Sequence, residues 1–315
     1  MTEIVRTEGL VKRYDGTLAV AGVDLSVEAG EIFGLVGPNG AGKTTTLKLL
    51  MQLIFPTSGR AEILGRPVGD VGTRRRIGYL PENPYFYDYL TAEELLTYFA
   101  QLLGVPAADR GPRVSRLLDR VGIGRERRFQ LRKFSKGMIQ RVGIAQALIN
   151  EPEVVFLDEP MSGLDPVGRR DVRSLILELR DQGRTVFFSS HILADAEALC
   201  SRVAIVAGGR LAAAGRLHEL AEFEARGWEV VVAHMPPAAL EHVRPMASRV
   251  TEIGPGRYTL ELPLSLAPER VIPELSATGA SVVSMNPVRE TLEDFFMQRV
   301  AEAEARPAEV DHGRR

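Results

Sequence analysis

The sequence holds a single cysteine, Cys200, so no disulfide can close within the chain, and one lone thiol fits a reducing compartment. Lysine is also scarce. Only five of the 39 basic residues are lysine, a bias that points to no function by itself. No stretch approaches the roughly 18 uninterrupted apolar residues of a membrane-spanning helix. The opening Met-Thr-Glu-Ile-Val-Arg lacks the apolar core of a signal peptide, and the expectation is a cytoplasmic protein whose membrane role, if any, comes through a partner. A formal net charge of −2 leaves no global basic field to gather nucleic acid. Tandem repeats are lacking. His218, His234, His242 and His312 are scattered and suggest no metal site. What remains is ordinary globular composition, 45% hydrophobic and 25% charged, with room for one large or two modest domains.

The most informative stretch is Gly37-Pro-Asn-Gly-Ala-Gly-Lys-Thr44, which satisfies GxxxxGK[ST] at every fixed position. Residues 32–36, Ile-Phe-Gly-Leu-Val, read as a buried strand before it, and residues 45–51 read as a helix after it. Strand, glycine loop and helix N-terminus together make an anion site, because glycines let the backbone wrap phosphate and the amide dipoles point inward. Lys43 would reach the β- and γ-phosphates and the Thr44 hydroxyl would bind Mg²⁺.

Short apolar runs broken at Asp15-Gly16 and Ala29-Gly30 predict strands before this loop, and 77–80 predicts another. Thr91-Ala-Glu-Glu94 resembles a capping box ahead of Leu95, Leu96, Phe99 and Leu102 at helical spacing. Residues 112–121 form a second amphipathic stretch, and a third helix is expected from about Ser135 to Ile149. Apolar runs at 154–157, 185–189 and 203–206, with a helix over about 167–181, predict a parallel sheet covered by helices. Near residue 217 the pattern changes to strand–helix–strand–strand–helix–strand, the order of a split βαβ, ferredoxin-like unit. A last helix is expected over 291–303, with Leu292, Phe295, Phe296 and Val300 at core spacing, before a disordered tail at 304–315.

Two carboxylates, Asp158 and Glu159, end the strand at 154–157. Asp158 is placed to hold Mg²⁺ and Glu159 to polarise an attacking water. The same pair could simply cap the next helix. Phe134-Ser-Lys-Gly-Met starts a helix with a serine and a glycine, and standing alone it reads as an ordinary N-cap. His191, just after the next strand, standing alone reads as a strand-end histidine.

Taken in order, these motifs resemble the ATP-binding cassette family of ATPases over about residues 3–217. The resemblance implies an α/β P-loop NTPase fold with a helical subdomain at about 86–140, and a small α+β accessory domain follows at 218–303. It implies that Tyr14 stacks on adenine, and that Gly37, Pro38, Asn39, Gly40, Ala41, Gly42, Lys43, Thr44 and Thr45 bind the phosphates. Ser135, Lys136 and Gly137 stand at the signature motif and would touch the γ-phosphate held by the opposite subunit. Asp158 and Glu159 become the Mg²⁺ partner and the catalytic carboxylate, with Lys43 and His191 beside them at the γ-phosphate. Asp165 lies in the loop that crosses between subunits. Three positions depart from the family pattern. Glu82 stands where glutamine is usual and would still approach Mg²⁺, the signature reads Ser-Lys-Gly-Met, and Met161 replaces a small residue. The first two departures are familiar from exporters of drugs, lipids, polysaccharides or sodium.

The resemblance further implies a head-to-tail homodimer enclosing ATP, since one phosphate loop supplies half a site. It also implies a separate membrane permease, docked near Pro84 to Tyr89, which would hold the chain at the cytoplasmic face of the membrane. The aromatics of that stretch read equally as core packing. Arg74-Arg-Arg76 reads as a solvated face. A soluble cassette ATPase acting on nucleic acid or ribosomes, or an importer ATPase, are the competing expectations.

Overall fold

A computed structural model describes residues 2–220, 225–266, 268–289 and 292–305. The chain divides into two compact units, one running to Leu217 and taken up again from Phe296, the other His218–Phe295.

The first unit is built on a six-stranded sheet in the order Arg210–Arg216, Arg202–Ala207, Ile32–Val36, Thr185–Ser190, Val154–Asp158, Ile77–Leu80. Its pairings are parallel except for the edge hairpin formed by Arg202–Ala207 and Arg210–Arg216. Ile32–Val36, Val154–Asp158 and Thr185–Ser190 are buried at every position, as continuous apolar runs covered on both faces must be. These three strands are neighbours, so their C-terminal ends open side by side, where ligands of parallel sheets bind.

A second sheet, Thr17–Glu28, Glu3–Tyr14, Ser58–Ile63, Arg66–Pro67, is antiparallel. Val20, Val23, Leu25 and Val27 from it join Phe33, Leu47, Phe156 and Phe187 in one core.

The helix Ala92–Leu102 is closed by the expected capping box, with Thr91 and Glu94 bonded reciprocally. Leu102, expected on the core face, is 63% exposed, because the buried stripe passes through Leu95, Leu96 and Ala100 instead. The amphipathic helix expected at 112–121 begins earlier and spans Ala107–Arg120. Pro112 lies inside it, a position that sequence reasoning reserves for the first turn. The next helix is Lys136–Ala147.

The second unit has the order Arg249–Gly254, Arg257–Pro263, Ala225–Ala233, Ser281–Arg289, all antiparallel, with helices Pro237–Val243 and Pro268–Ala277. Val230, Val232, Leu260 and Leu262 form its core with Val243, Val271 and Leu275. The central pair Ala225–Ala233 and Arg257–Pro263 gives the split βαβ topology. The final helix is Leu292–Ala305, with Phe296 and Val300 buried. The tail expected to be disordered lies, from residue 306 on, outside the described residues.

Candidate functional site

The strand Ile32–Val36 runs into the glycine loop, and the loop into the helix Lys43–Leu50. Gly42, the N-cap of that helix, has φ 102° and provides no side-chain cap, so the first-turn N–H groups face outward for an anion. A Cβ at Gly42 would sit 2.4 Å from the Ala19 carbonyl oxygen, and one at Gly37 would sit 2.2 Å from that of Val206. Both positions therefore demand glycine. The loop opens on a cavity of about 420 Å³ lined by Ala19, Asn39, Gly40, Gly42, Lys43, Thr44, Thr45, Glu82, Glu159, Ser162 and His191.

Lys43 is 5% exposed, and its Nζ donates to the carbonyls of Gly37 at 2.8 Å and Pro38 at 3.0 Å. It lies 3.6 Å from Glu159 Oε1. Burial lowers the lysine pKa, and the neighbouring Glu159 only partly opposes that.

Asp158 is fully buried. Its Oδ1 accepts hydrogen bonds from Ser189 Oγ at 2.6 Å and Thr44 Oγ1 at 3.2 Å. Its Oδ2 is buried without a hydrogen-bond partner among the described residues. An orphaned carboxylate oxygen beside a hydroxyl is the donor set a hard divalent cation takes, with further positions left to water and phosphate.

Burial raises the Asp158 pKa, against the bonds from Ser189 and Thr44. The folded chain thus holds this proton more tightly than the unfolded chain. The contribution to stability is full below the ordinary carboxylate value of about 4 and is lost as pH rises through the elevated folded value. Asp158→Asn is accordingly expected to raise the melting temperature of the unliganded protein at about pH 7 and to leave it unchanged below about pH 4. Calorimetry at both pH values checks this, and an equal shift at both would contradict it.

Glu159 carries φ 50°, a left-handed conformation that non-glycine residues seldom adopt. Its N–H donates to Ser189 Oγ at 3.0 Å, and its carbonyl accepts from Gln140 Nε2 at 3.3 Å. So held, the carboxylate points between Lys43 and His191, with Oε2 2.8 Å from His191 Nδ1. Burial raises its pKa, and His191 and Lys43 pull the other way.

Ser189 and Gln140 were not singled out in the sequence. Ser189 bonds both Asp158 and the Glu159 peptide, and the sequence signal for it is the Ser189-Ser190 pair that ends an apolar strand. Gln140 is 1% exposed inside the helix Lys136–Ala147, a polar group in a place that requires partners.

The other expected residues lie elsewhere. Ser135, Lys136, Gly137 and Asp165 line a separate cavity of about 590 Å³, together with Gly163 and Arg141. Ser135 Oγ accepts from Met138 N–H at 3.3 Å and caps the helix Lys136–Ala147. Asp165 Oδ1 accepts from Gly168 N–H at 2.7 Å and caps Pro166–Asp181. Tyr14 is outside the lining of the phosphate cavity, half exposed, with Lys12 Nζ 4.9 Å from its ring centre. Gly37, Pro38 and Ala41 shape the loop without lining the cavity. Cys200 is packed near Gly34, and burial pushes its thiol pKa up. Arg76 forms a two-point pair with Glu153 at 2.5 and 2.7 Å.

The profile of a family described as ABC transporter matches residues 20–162. The chain is 46% identical to an uncharacterized ABC transporter ATP-binding protein of Synechocystis, over 89% of this chain and 78% of that one. It is 43% identical to a fluoroquinolones export ATP-binding protein of Mycobacterium tuberculosis, over 67% and 70% of the two chains. It superposes with a TM-score of 0.64 and 25% identity on the ATP-binding cassette MJ0796, a dimeric post-hydrolysis structure bound to ADP and Pi, covering 68% of this chain and 99% of that one.

Proposed function

Given that the chain belongs to the ABC transporter family as an ATP-binding subunit, and is an ATPase of that family, we propose that it powers an exporter. Two copies enclose ATP head to tail, and their closing and reopening moves a separate membrane subunit. The observation that carries this reading is the separation of the two cavities. The phosphate cavity and the cavity at Ser135, Lys136 and Gly137 have no lining residue in common. One copy thus offers two different halves of a site, which a head-to-tail pair would join twice. The relative named for fluoroquinolone export and the dimeric relative holding ADP and Pi support the same reading.

In this reading the loop amides and Lys43 bind the β- and γ-phosphates, and Tyr14 stacks on adenine. Thr44, Asp158 and Glu82 would hold Mg²⁺, whose chemistry is to neutralise charge on the phosphate oxygens. Glu159 takes the proton of the attacking water, and its raised pKa makes it a better base than an exposed carboxylate. His191 fixes the orientation of that carboxylate. Ser135 and Lys136 of the second copy complete the γ-phosphate site.

Mixing two inactive chains tests the shared site. Lys43→Ala spoils one half and Ser135→Ala the other, so each mixed dimer retains one intact composite site. The expected result is recovery of about a quarter of the parental turnover on random pairing. Persistent inactivity, while light scattering shows the two chains associated, would overturn the shared site.

The membrane subunit would dock at Pro84 to Tyr89. Tyr85 is 98% exposed, and Tyr87 and Tyr89 make a tilted ring contact in the open, at 5.8 Å between ring centres and 40° between planes. Phe86 alone turns inward, to an edge contact with Phe99. Interface anchors of this kind are worth about 2 kcal/mol or more. Tyr85→Ala combined with Tyr87→Ala is expected to lower transport at least about tenfold while sparing ATPase activity of the free subunit. Equal loss of both activities would assign the tyrosines to packing.

A further inference from the structure

Away from both nucleotide cavities, the first unit carries a third opening of about 540 Å³, within the range of small-ligand sites. Four arginines converge on it: Arg113, Arg116 and Arg120 from the helix Ala107–Arg120, and Arg184 just before the strand Thr185–Ser190. Two carboxylates, Glu151 and Glu178, share the lining with them, and Glu153 adds a longer-range interaction with Arg184.

The pairing is incomplete. Glu151 is shared, 3.4 Å from Arg113 Nη2 and 3.1 Å from Arg116 Nη2. Glu178 Oε2 accepts from Arg120 Nε at 3.2 Å, while the buried Nη2 of Arg120, 2.9 Å from the same oxygen, forms no hydrogen bond among the described residues. Arg184 Nη1 donates to the backbone carbonyls of Glu151 and Pro152 at 2.8 and 2.7 Å. Arg113 adds one donation to the Ile149 carbonyl at 3.1 Å. Each guanidinium has five N–H donors in a planar fork, and Arg116 and Arg184 commit only one nitrogen each to the contacts above.

Glu151, whose carboxylate meets Arg113 and Arg116, occupies the left-handed region with φ 52°, a strained conformation for a non-glycine residue. Beneath the charges, Leu117, Leu148 and Leu179 make an apolar floor, each 5% exposed or less.

We infer that this cavity binds a small phosphate monoester, with the phosphate among the arginines and its organic body on the leucine floor. Four positive charges against two negative leave an excess of two, and a phosphate monoester carries about −1.5 to −2 at neutral pH. Guanidinium forks match phosphate oxygens two at a time. The size of the cavity suits a molecule near a mononucleotide in bulk. Its lining shares no residue with the cavity of the phosphate loop, so the inference does not depend on the reading of that site.

Adenosine monophosphate is the probe, titrated calorimetrically into the full chain carrying Lys43→Ala, which disables the phosphate loop. One binding event is expected, and adenosine without its phosphate should give none. Adding Arg116→Gln is expected to weaken binding at least about tenfold, the effect of one charged hydrogen bond. Arg116 is 66% exposed, so this change spares the fold, and an unchanged melting temperature verifies it. Arg184→Gln, which removes the guanidinium held by the Glu151 and Pro152 carbonyls, should weaken binding by as much or more. No heat from adenosine monophosphate at millimolar concentration would overturn the site, as would binding indifferent to Arg116→Gln. Sedimentation with phosphatidic-acid vesicles separates a lipid from a soluble source. Capture by vesicles without binding of the soluble monoester would also overturn it.

Discussion

Glu159→Gln is expected to cut ATP turnover by about 10²–10⁴-fold, the range for loss of a general base, while ATP still binds. The amide keeps the volume of the carboxylate and a hydrogen bond to His191 Nδ1, now 2.8 Å from Glu159 Oε2. What it loses is basicity. It also removes a negative charge 3.6 Å from Lys43 Nζ, which would otherwise repel the incoming γ-phosphate. Bound ATP should therefore persist and hold two copies together. Size-exclusion chromatography with light scattering is expected to show a dimer with ATP and monomer without it. Parental turnover in single-turnover assays would remove Glu159 from the base role. A monomer with ATP at high protein concentration, with the membrane partner also present, would remove the trapped dimer.

The pH profile of the parent should carry the mark of the same residue. The Glu159 pKa is raised by burial, so protonation on acidification sets in above the ordinary carboxylate range of about 4. The acidic limb of turnover should be displaced upward accordingly and be missing from the residual activity of Glu159→Gln.

Lys43→Ala has the second large effect, and it falls on binding. The ammonium is buried against the Gly37 and Pro38 carbonyls, and burial already lowers its pKa. A polyphosphate supplies the counter-charge that the unliganded site gives incompletely. Loss of this charged contact is worth about 1.5–3 kcal/mol, or roughly 10- to 150-fold in affinity for ATP. Hydrolysis should fall to background, since the γ-phosphate is no longer held in line with Glu159. Lys43→Met, which restores most of the buried volume, should behave the same way. Fluorescent-nucleotide titration and phosphate release measure the two effects, and unchanged hydrolysis in either variant would sink the assignment.

The central sheet was legible in the sequence because its strands are buried on both faces and leave unbroken apolar runs, as at Val154–Asp158 and Thr185–Ser190. The loop and both carboxylates were legible because their chemistry is local, held at the ends of those runs. Ser58–Ile63 escaped notice, since Ser-Gly-Arg-Ala-Glu-Ile is largely exposed and its strand character comes from pairing with Glu3–Tyr14. The edge strand Arg210–Arg216 is similarly half exposed and polar at its ends. The support around Glu159 was hidden for another reason. Ser189 and Gln140 stand 30 and 19 residues from it in sequence, and only the folded sheet brings them to its peptide. The second unit could be followed strand by strand because Leu260 and Leu262 alternate with Thr259 and Glu261 toward one covered face, while Val230, Val231 and Val232 form a short β-branched run.

The first turns of the helix Lys136–Ala147 run between the two cavities. Ser135 caps it beside the second cavity, and Gln140 clamps the Glu159 and Pro160 carbonyls beside the first. About 7 Å of helix axis lies between them, too short and too regularly bonded to bend. Over this span the helix is stiff, so Ser135 and the strained peptide of Glu159 are joined by one short, regular segment and the Gln140 side chain.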